Sequence, residues 1–293
     1  MSRAGIVALA GRPNVGKSTF INAAVGEKVA ITSDRPQTTR RAIRGVHQSG
    51  DAQVAFVDLP GVQRPRDPLT ARMAGRVQQE LEGADAVLQL VSAEQGVGPG
   101  DRYIAAELSR LRLPVTVAVN KVDKLSSAAL VPVLEDAARL APGAEIFPVS
   151  ARRGSGVDQL LAHLRDQMPE GPFLFGPGDT SDQPLELLAA ELIREALIRR
   201  TYRELPHATE VVIEEIERPR PSLCVVRALI WVESESQKAI VVGAQGKMVK
   251  AIGIAARREL ERLLDSKVHL DLAVRVRRDW RSDDALLDRL GIN

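Results

Sequence analysis

The stretch "GRPNVGKST", residues 11–19, follows directly on the apolar run "GIVALAG" (5–11) and opens a helix-like segment. It fits the spacing G-x-x-x-x-G-K-[ST]. In that pattern glycines let the backbone curl around a phosphate, and the helix behind points its positive end at the anion. Gly11 and Gly16 supply the two glycines, and Asn14, Val15 and Thr19 complete the expected cradle. Lys17 is placed to reach the β- and γ-phosphates, and the Ser18 hydroxyl to bind Mg²⁺. A strand ahead and a helix behind are the context this motif requires, so the reading is a nucleoside triphosphate site at a strand–loop–helix junction.

The surrounding pattern agrees. Four more short apolar runs follow: "AQVAFVD" (52–58), "DAVLQLV" (85–91), "PVTVAVN" (114–120) and "EIFPVS" (145–150). Being continuously apolar rather than alternating, they read as strands buried on both faces of a parallel sheet. Helical stretches at 17–25, 69–82, 101–111 and 126–140 alternate with them. The expectation is an α/β domain over residues 1–168: a doubly wound, mostly parallel sheet with helices on both faces and its ligand at the C-terminal strand ends.

Those strand ends carry further motifs. In "DLPG" (58–61), Asp58 is placed to hold the Mg²⁺ shell and the Gly61 N–H to meet the γ-phosphate. In "NKVD" (120–123), the Asp123 carboxylate can accept two hydrogen bonds from the N1–H and N2–H₂ edge of guanine. Adenine offers no such donor pair and would leave that carboxylate unpaired. Asn120 would brace the pocket and contact the base, and the Lys121 stem would lie over the ring. In "SAR" (150–152), Ser150 and Ala151 end the last strand, where the Ala151 N–H can donate to guanine O6. Four motifs in order, each after a strand, point to GTP and GDP. The segment from Glu27 to Arg41 lacks a long apolar run and suits a switch loop, with Thr39 favoured over Thr38 as its Mg²⁺ ligand. Lys17, Thr39 and Gly61 are therefore the groups expected around the reacting phosphate.

No general base is evident. Ras-type GTPases place a glutamine after the "DxxG" glycine to orient water. Here Val62 stands there, with Gln63 one step on, so intrinsic hydrolysis is expected to be slow. Asn14 is a candidate ligand for a monovalent cation, K⁺, beside the phosphates, with Arg35, Arg40 and Arg41 as alternative sources of positive charge.

"PEGPFLFGPGDTSDQP" (169–184) holds four prolines and three glycines and reads as a linker. Beyond it, residues 185–293 follow the order helix, strand, strand, helix, glycine turn, helix, strand. The helix at 185–200 carries Leu185, Leu188, Leu192 and Ala196 at helical spacing, and the later one carries Val249, Ile252, Ala256, Leu260 and Leu263. The glycine turn is "GAQG": Gly243, Ala244, Gln245 and Gly246. It lacks the Lys-Ser/Thr pair of a triphosphate site and lies between two helices. That is the layout of a KH domain, whose loop clamps the backbone of about four nucleotides. Lys247 and Lys250 follow the loop, and from 238 to 281 eleven lysines and arginines face five acids, a local excess of +6. Stacking aromatics are absent around the loop. Groove contacts are expected from Ile240, Val242, Val249 and Ile252.

In bulk, the 293 residues are 44% hydrophobic with a net charge of +2, which alone does not select a nucleic-acid partner. One cysteine, Cys224, excludes an intrachain disulfide framework and fits a reducing compartment. No apolar run approaches the roughly 20 residues of a membrane span. These features fit a cytosolic, monomeric, two-domain protein.

As a whole the chain resembles the Era family of bacterial GTPases. The resemblance rests on "GRPNVGKST", "PQTTR", "DLPG", "NKVD" and "SAR", then on "SQKAIVVGAQGKMVKAIG" and the closing "VRVRRDWRSDDALLDRLG". It implies a GTPase domain followed by a smaller α+β type II KH domain. It also implies binding to the 3′ end of small-subunit ribosomal RNA during small-subunit assembly, and a cytoplasmic location with some peripheral membrane association. The loop departs from the family's usual glycine–charged–glycine–glycine at Ala244 and Gln245. A rival reading is a GTP-gated protein- or membrane-interaction module. A metabolic kinase is disfavoured because "NKVD" supplies guanine selection.

Overall fold

β1 (Arg3–Ala10) sits inside a six-stranded sheet of order β2-β3-β1-β4-β5-β6, where β2 is Ile43–Ser49, β3 Ala52–Asp58, β4 Ala86–Ser92, β5 Val115–Asn120 and β6 Ile146–Pro148. Its side chains alternate between two apolar layers. Val7 and Leu9 join Phe20 and Ile21 of α1 (Lys17–Val25). Ala8 and Ala10 face the other way, in a layer with Val57 and Val87. Helices therefore cover both faces, which is why the inner strands β1, β3, β4 and β5 are mostly apolar on both sides. α2 (Pro68–Glu82), α3 (Pro99–Leu108) and α4 (Ser127–Leu140) supply the second face, and α5 (Val157–Gln167) packs Leu160 and Leu164 onto the first. All neighbours pair in parallel except β2 and β3, which run antiparallel from Ile43↔Asp58 to Ser49↔Ala52.

The computed structural model describes residues 1–32, 43–59, 68–202, 205–290 and 292. Thr38, Thr39, Gly61, Val62, Gln63, Arg35, Arg40 and Arg41 lie outside them. Contacts divide the chain in the main into two compact units with the break between Asp182 and Gln183. Most of 169–184, expected as a linker, is hydrogen-bonded along the first unit's sheet. The N–H of Val46 donates to Thr180 O (2.9 Å), and the Ser181 hydroxyl donates to Arg44 O (2.8 Å). Gln53, fully buried in β3, accepts from the N–H groups of Leu174 (2.8 Å) and Phe175 (3.0 Å) and donates to Phe175 O (3.1 Å). The segment thus covers the open edge of β2 and satisfies a buried amide.

The second unit runs α6 (Leu185–Ile198), α7 (Leu205–Ala208), β7 (Glu210–Arg220), β8 (Leu223–Val232), α8 (Glu235–Val242), α9 (Lys247–Leu263), β9 (Lys267–Val276) and α10 (Asp284–Arg289). Its sheet has the order β7-β8-β9, with β7 antiparallel to β8 and β8 parallel to β9. The parallel pair needs a crossover, which α8 and α9 provide. α9 buries Ile252, Ala256 and Leu260, while Val249 and Leu263 are half-buried. In α6, Leu185 of the expected stripe is exposed, but the helix buries more than the rest of that stripe: from Leu188 to Ile198 every residue is buried, charged ones included. There Arg194 donates to both carboxylate oxygens of Glu191, at 3.0 and 2.6 Å. The Arg194 pKa is raised; burial works against the charge, and the attraction of Glu191 and Glu210 outweighs it.

Candidate nucleotide site and nucleic-acid interface

The loop between β1 and α1 takes a shape that its sequence dictates. Gly16 has φ 100°, and a Cβ there would lie 2.3 Å from Asn120 Nδ2. Asn14 also has a positive φ, 64°. Lys17 is buried and donates from Nζ to the carbonyls of Gly11 (3.2 Å) and Arg12 (3.5 Å). Burial lowers its pKa, with the Asp58 carboxylate opposing that shift. The Ser18 hydroxyl donates to Asp58 Oδ2 at 2.5 Å, so a hydroxyl and a fully buried carboxylate sit together at the loop mouth. Two oxygen donors beside a phosphate loop are the set that Mg²⁺ takes when phosphate and water supply the rest.

A cleft of about 520 Å³ is lined by Asn14, Gly16, Thr19, Asn120, Lys121 and Asp123, among others, so the first loop and "NKVD" share one cavity. Asn120 holds three segments together. Its Nδ2 donates to Val15 O (2.9 Å), and its Oδ1 accepts from the N–H groups of Lys121 (2.8 Å) and Ala151 (3.0 Å). The Ala151 N–H, expected to face guanine O6, is thus directed at Asn120 here. Lys121 is left-handed (φ 65°), and its Nζ lies 3.5 Å from Glu94.

Ser150 has a second function that its motif does not announce. Its hydroxyl donates to Asp123 Oδ1 at 2.6 Å and lowers the Asp123 pKa, against a smaller opposing effect of burial. The ionised carboxylate is the form that accepts from guanine, and a lowered pKa keeps it ionised as pH falls. Ser150→Ala should therefore move the acid limb of GDP binding to higher pH, and weaken binding about tenfold at neutral pH. Measuring GDP affinity against pH for both proteins checks this, and superimposable curves would refute it.

Two supports were not read from sequence. Arg12, a variable position of the loop motif, places Nε 2.8 Å from the buried Asp101 and donates to Gly96 O (2.9 Å). Asp101 Oδ2 also accepts from the Gly98 N–H at the start of α3, so this acid ties the loop to that helix. The signal for it was the helix start "GPGD" (98–101). Asn22 of α1 accepts from the N–H groups of Val29 (3.0 Å) and Ala30 (2.9 Å) and donates to Ala30 O (2.8 Å), anchoring the chain that enters the expected switch loop.

In the second unit the glycine turn lies between α8 and α9. Gly243 has φ 74°, and a Cβ there would lie 2.7 Å from Met248 Cβ. Gly246 has φ 74° and ends the turn at the N-terminus of α9. Gln245 adopts a left-handed φ of 54°, a conformation that a glycine would take without strain. Ala244, Gln245, Lys247 and Lys250 are exposed, as are Arg257 and Arg258. Of the expected groove residues, Ile240 is exposed and Val242 and Val249 are half-buried, but Ile252 is fully buried and belongs to the core. Among the described residues no single helix is long and apolar enough to cross a membrane.

This fold and its first site define a phosphate-loop protein built for guanine nucleotides, with a KH-like unit appended. Residues 6–121 match the family model described as 50S ribosome-binding GTPase, and residues 204–281 match the KH domain model. The chain is 44% identical over 293 residues to the GTPase Era of Mycobacterium tuberculosis (strain ATCC 25177 / H37Ra), covering 98% of each. It is 42% identical over 289 residues to that of Lactobacillus delbrueckii subsp. bulgaricus, covering 99% of this chain and 96% of that one. Among solved structures, a single-residue variant of Aquifex aeolicus Era bound to GDP·AlF4⁻ matches with a TM-score of 0.94 at 37% identity, covering 99% of each chain. Era in complex with MgGDPNP and nucleotides 1506–1542 of 16S ribosomal RNA matches equally, with a TM-score of 0.94 at 37% identity over 100% of this chain and 99% of that one. The chain belongs to the Era family of GTPases.

Proposed function

We propose that this protein is a slow GTPase switch that binds the 3′ end of small-subunit ribosomal RNA through its KH domain and assists assembly of the small ribosomal subunit. The observation that carries the reading is the full-length likeness to Era in complex with MgGDPNP and 16S ribosomal RNA. Gly11, Asn14, Val15, Gly16 and Thr19 shape the cradle, and Lys17 neutralises the β- and γ-phosphates. Ser18, Thr39 and Asp58 hold Mg²⁺, which offsets charge on the phosphates when bound. The Gly61 N–H meets the γ-phosphate. Asp123 selects guanine, Asn120 and Ser150 hold it in place, and Lys121 and Ala151 complete the base pocket. Gly243, Ala244, Gln245 and Gly246 clamp an RNA backbone, with Lys247 and Lys250 on its phosphates. The protein acts as a monomer in the cytoplasm, and vesicle pelleting decides the finer point of peripheral association with the inner membrane face.

Filter binding of a single-stranded oligonucleotide with the 3′-terminal rRNA sequence, across a salt series, tests the RNA reading. Affinity should fall with added salt. Gly246→Asp, which puts a carboxylate where the phosphate lies, should lower it about tenfold or more. No measurable affinity at low salt would favour the protein-interaction rival instead. For hydrolysis, Asn14 is assigned to a monovalent cation, so turnover should be faster in potassium than in sodium chloride; equal rates would remove Asn14 from that role.

A further inference from the structure

The two faces of the β7–β8–β9 sheet differ. Side chains such as Cys224, Val226, Ile230 and Val268 are buried on the face covered by α8 and α9. The opposite face carries Leu229 and Trp231 of β8, and Val212 of β7 opposite Leu229. Trp231 is half-buried and lies beside Arg275 of β9 in the parallel register. A cleft of about 460 Å³ opens here, with Val212, Leu229 and Trp231 in its lining and Arg275, Arg277 and Arg289 around it. All three arginines are exposed and none makes an ion pair among the described residues; one acid, Glu214, shares the lining. Further along the same face the charge is neutralised, because Arg227 pairs with Glu215 and Glu217. At the aromatic end three exposed arginines thus outnumber the one acid of the lining, and Glu210, opposite Trp231 on β7, is fully buried.

We propose that this cleft is a second RNA contact, in which an unpaired base stacks on Trp231 and Arg275, Arg277 and Arg289 hold the flanking phosphates. The inference rests on the RNA reading above and extends it. An aromatic ring on a sheet, ringed by cations, matches what single-stranded nucleic acid presents: a flat π-face on every nucleotide and a phosphate on either side. Guanidiniums suit the phosphates because their planar fork bonds two oxygens at once. The geometry also supplies the aromatic that the glycine turn lacks. β9 is one of the two edge strands of the sheet, next to β8, so an RNA longer than the turn can hold would reach Trp231 by passing around that edge.

The test uses the full chain and fluorescein-labelled single-stranded RNA with the 3′-terminal rRNA sequence, in lengths of about 4 and about 14 nucleotides, spanning one site and both. Trp231→Leu should weaken binding of the longer RNA about 5- to 150-fold and leave the shorter unchanged. A second variant, Arg275→Glu with Arg277→Glu, alters only exposed side chains; it should do the same and flatten the salt dependence. Trp280, the other tryptophan, is fully buried, so quenching of tryptophan emission by the longer RNA should vanish in Trp231→Leu. Unchanged affinity of both variants for the longer RNA, with Gly246→Asp still weakening both lengths, would overturn this contact and leave the KH reading standing. Absence of RNA binding by the unaltered protein at either length would overturn both. If the variants instead lose only binding to phosphatidylglycerol vesicles, the cleft is a lipid-headgroup site and the proposal is wrong.

Discussion

Asp123→Asn should lose at least about 100-fold in affinity for GDP and GTP and gain affinity for xanthosine nucleotides. Asp123 lines the cleft that also holds Gly16 and Asn120, and its Oδ1 already accepts from the Ser150 hydroxyl. Its carboxylate presents only acceptors, which match the paired N1–H and N2–H₂ donors of guanine. An amide places a donor against one of them, leaving buried polar groups unpaired, and a mismatch of that kind discriminates far more strongly than a change of apolar fit. Xanthine carries a carbonyl where guanine has its amino group, so the amide's donor then finds an acceptor. Fluorescent GDP and XDP titrations measure both halves, and unchanged GDP affinity would refute the base contact. Because the Ser150 hydroxyl can still donate to the Asn oxygen, the variant should keep its fold. Loss of GDP binding together with loss of thermal stability would mean that the effect is not on recognition.

Arg194→Met should destabilise the protein by about 3–5 kcal/mol, the usual consequence of removing one partner from a buried ion pair. Arg194 is fully buried on α6, bonded through two nitrogens to Glu191, and further stabilised by the charge of Glu210. Methionine fills much of the same volume, so the effect comes from two acids left in a low-dielectric interior rather than from a cavity. Adding Glu191→Leu should recover part of the loss, because it removes one of the stranded charges. Urea denaturation followed by far-ultraviolet circular dichroism gives both numbers. A change below about 1 kcal/mol in the single variant would show that water reaches this pair.

The elements recovered from sequence share one property: their signals lie within a few residues. β1 and its loop are an apolar run followed by glycines at fixed spacing. The "NKVD" and "SAR" turns follow strands that are mostly apolar. β2 escaped because its seven residues mix Ile43 and Val46 with Arg44, His47 and Gln48, a pattern that makes sense only at a sheet edge. α5 is legible in the sequence as well, since Val157, Leu160, Leu161 and Leu164 stand at helical spacing. The assignment of Ile252 to a groove failed for a different reason. The spacing placed it on the apolar stripe of α9, but spacing does not say whether a stripe residue meets the sheet or the ligand.

Local chemistry in the chain was enough to establish the guanine-nucleotide site, the glycine turn and the class of both domains. Phosphate loops and turns need particular residues at particular steps, since glycine alone takes some of those backbone angles without strain. Folding settled which distant residues meet. It joined Ser150 to Asp123, Arg12 to Asp101 and Gln53 to the 174–175 backbone. It also set Trp231 beside Arg275, forty-four positions apart, through the register of two parallel strands. Register depends on how whole segments pack, and no local period of the sequence encodes it.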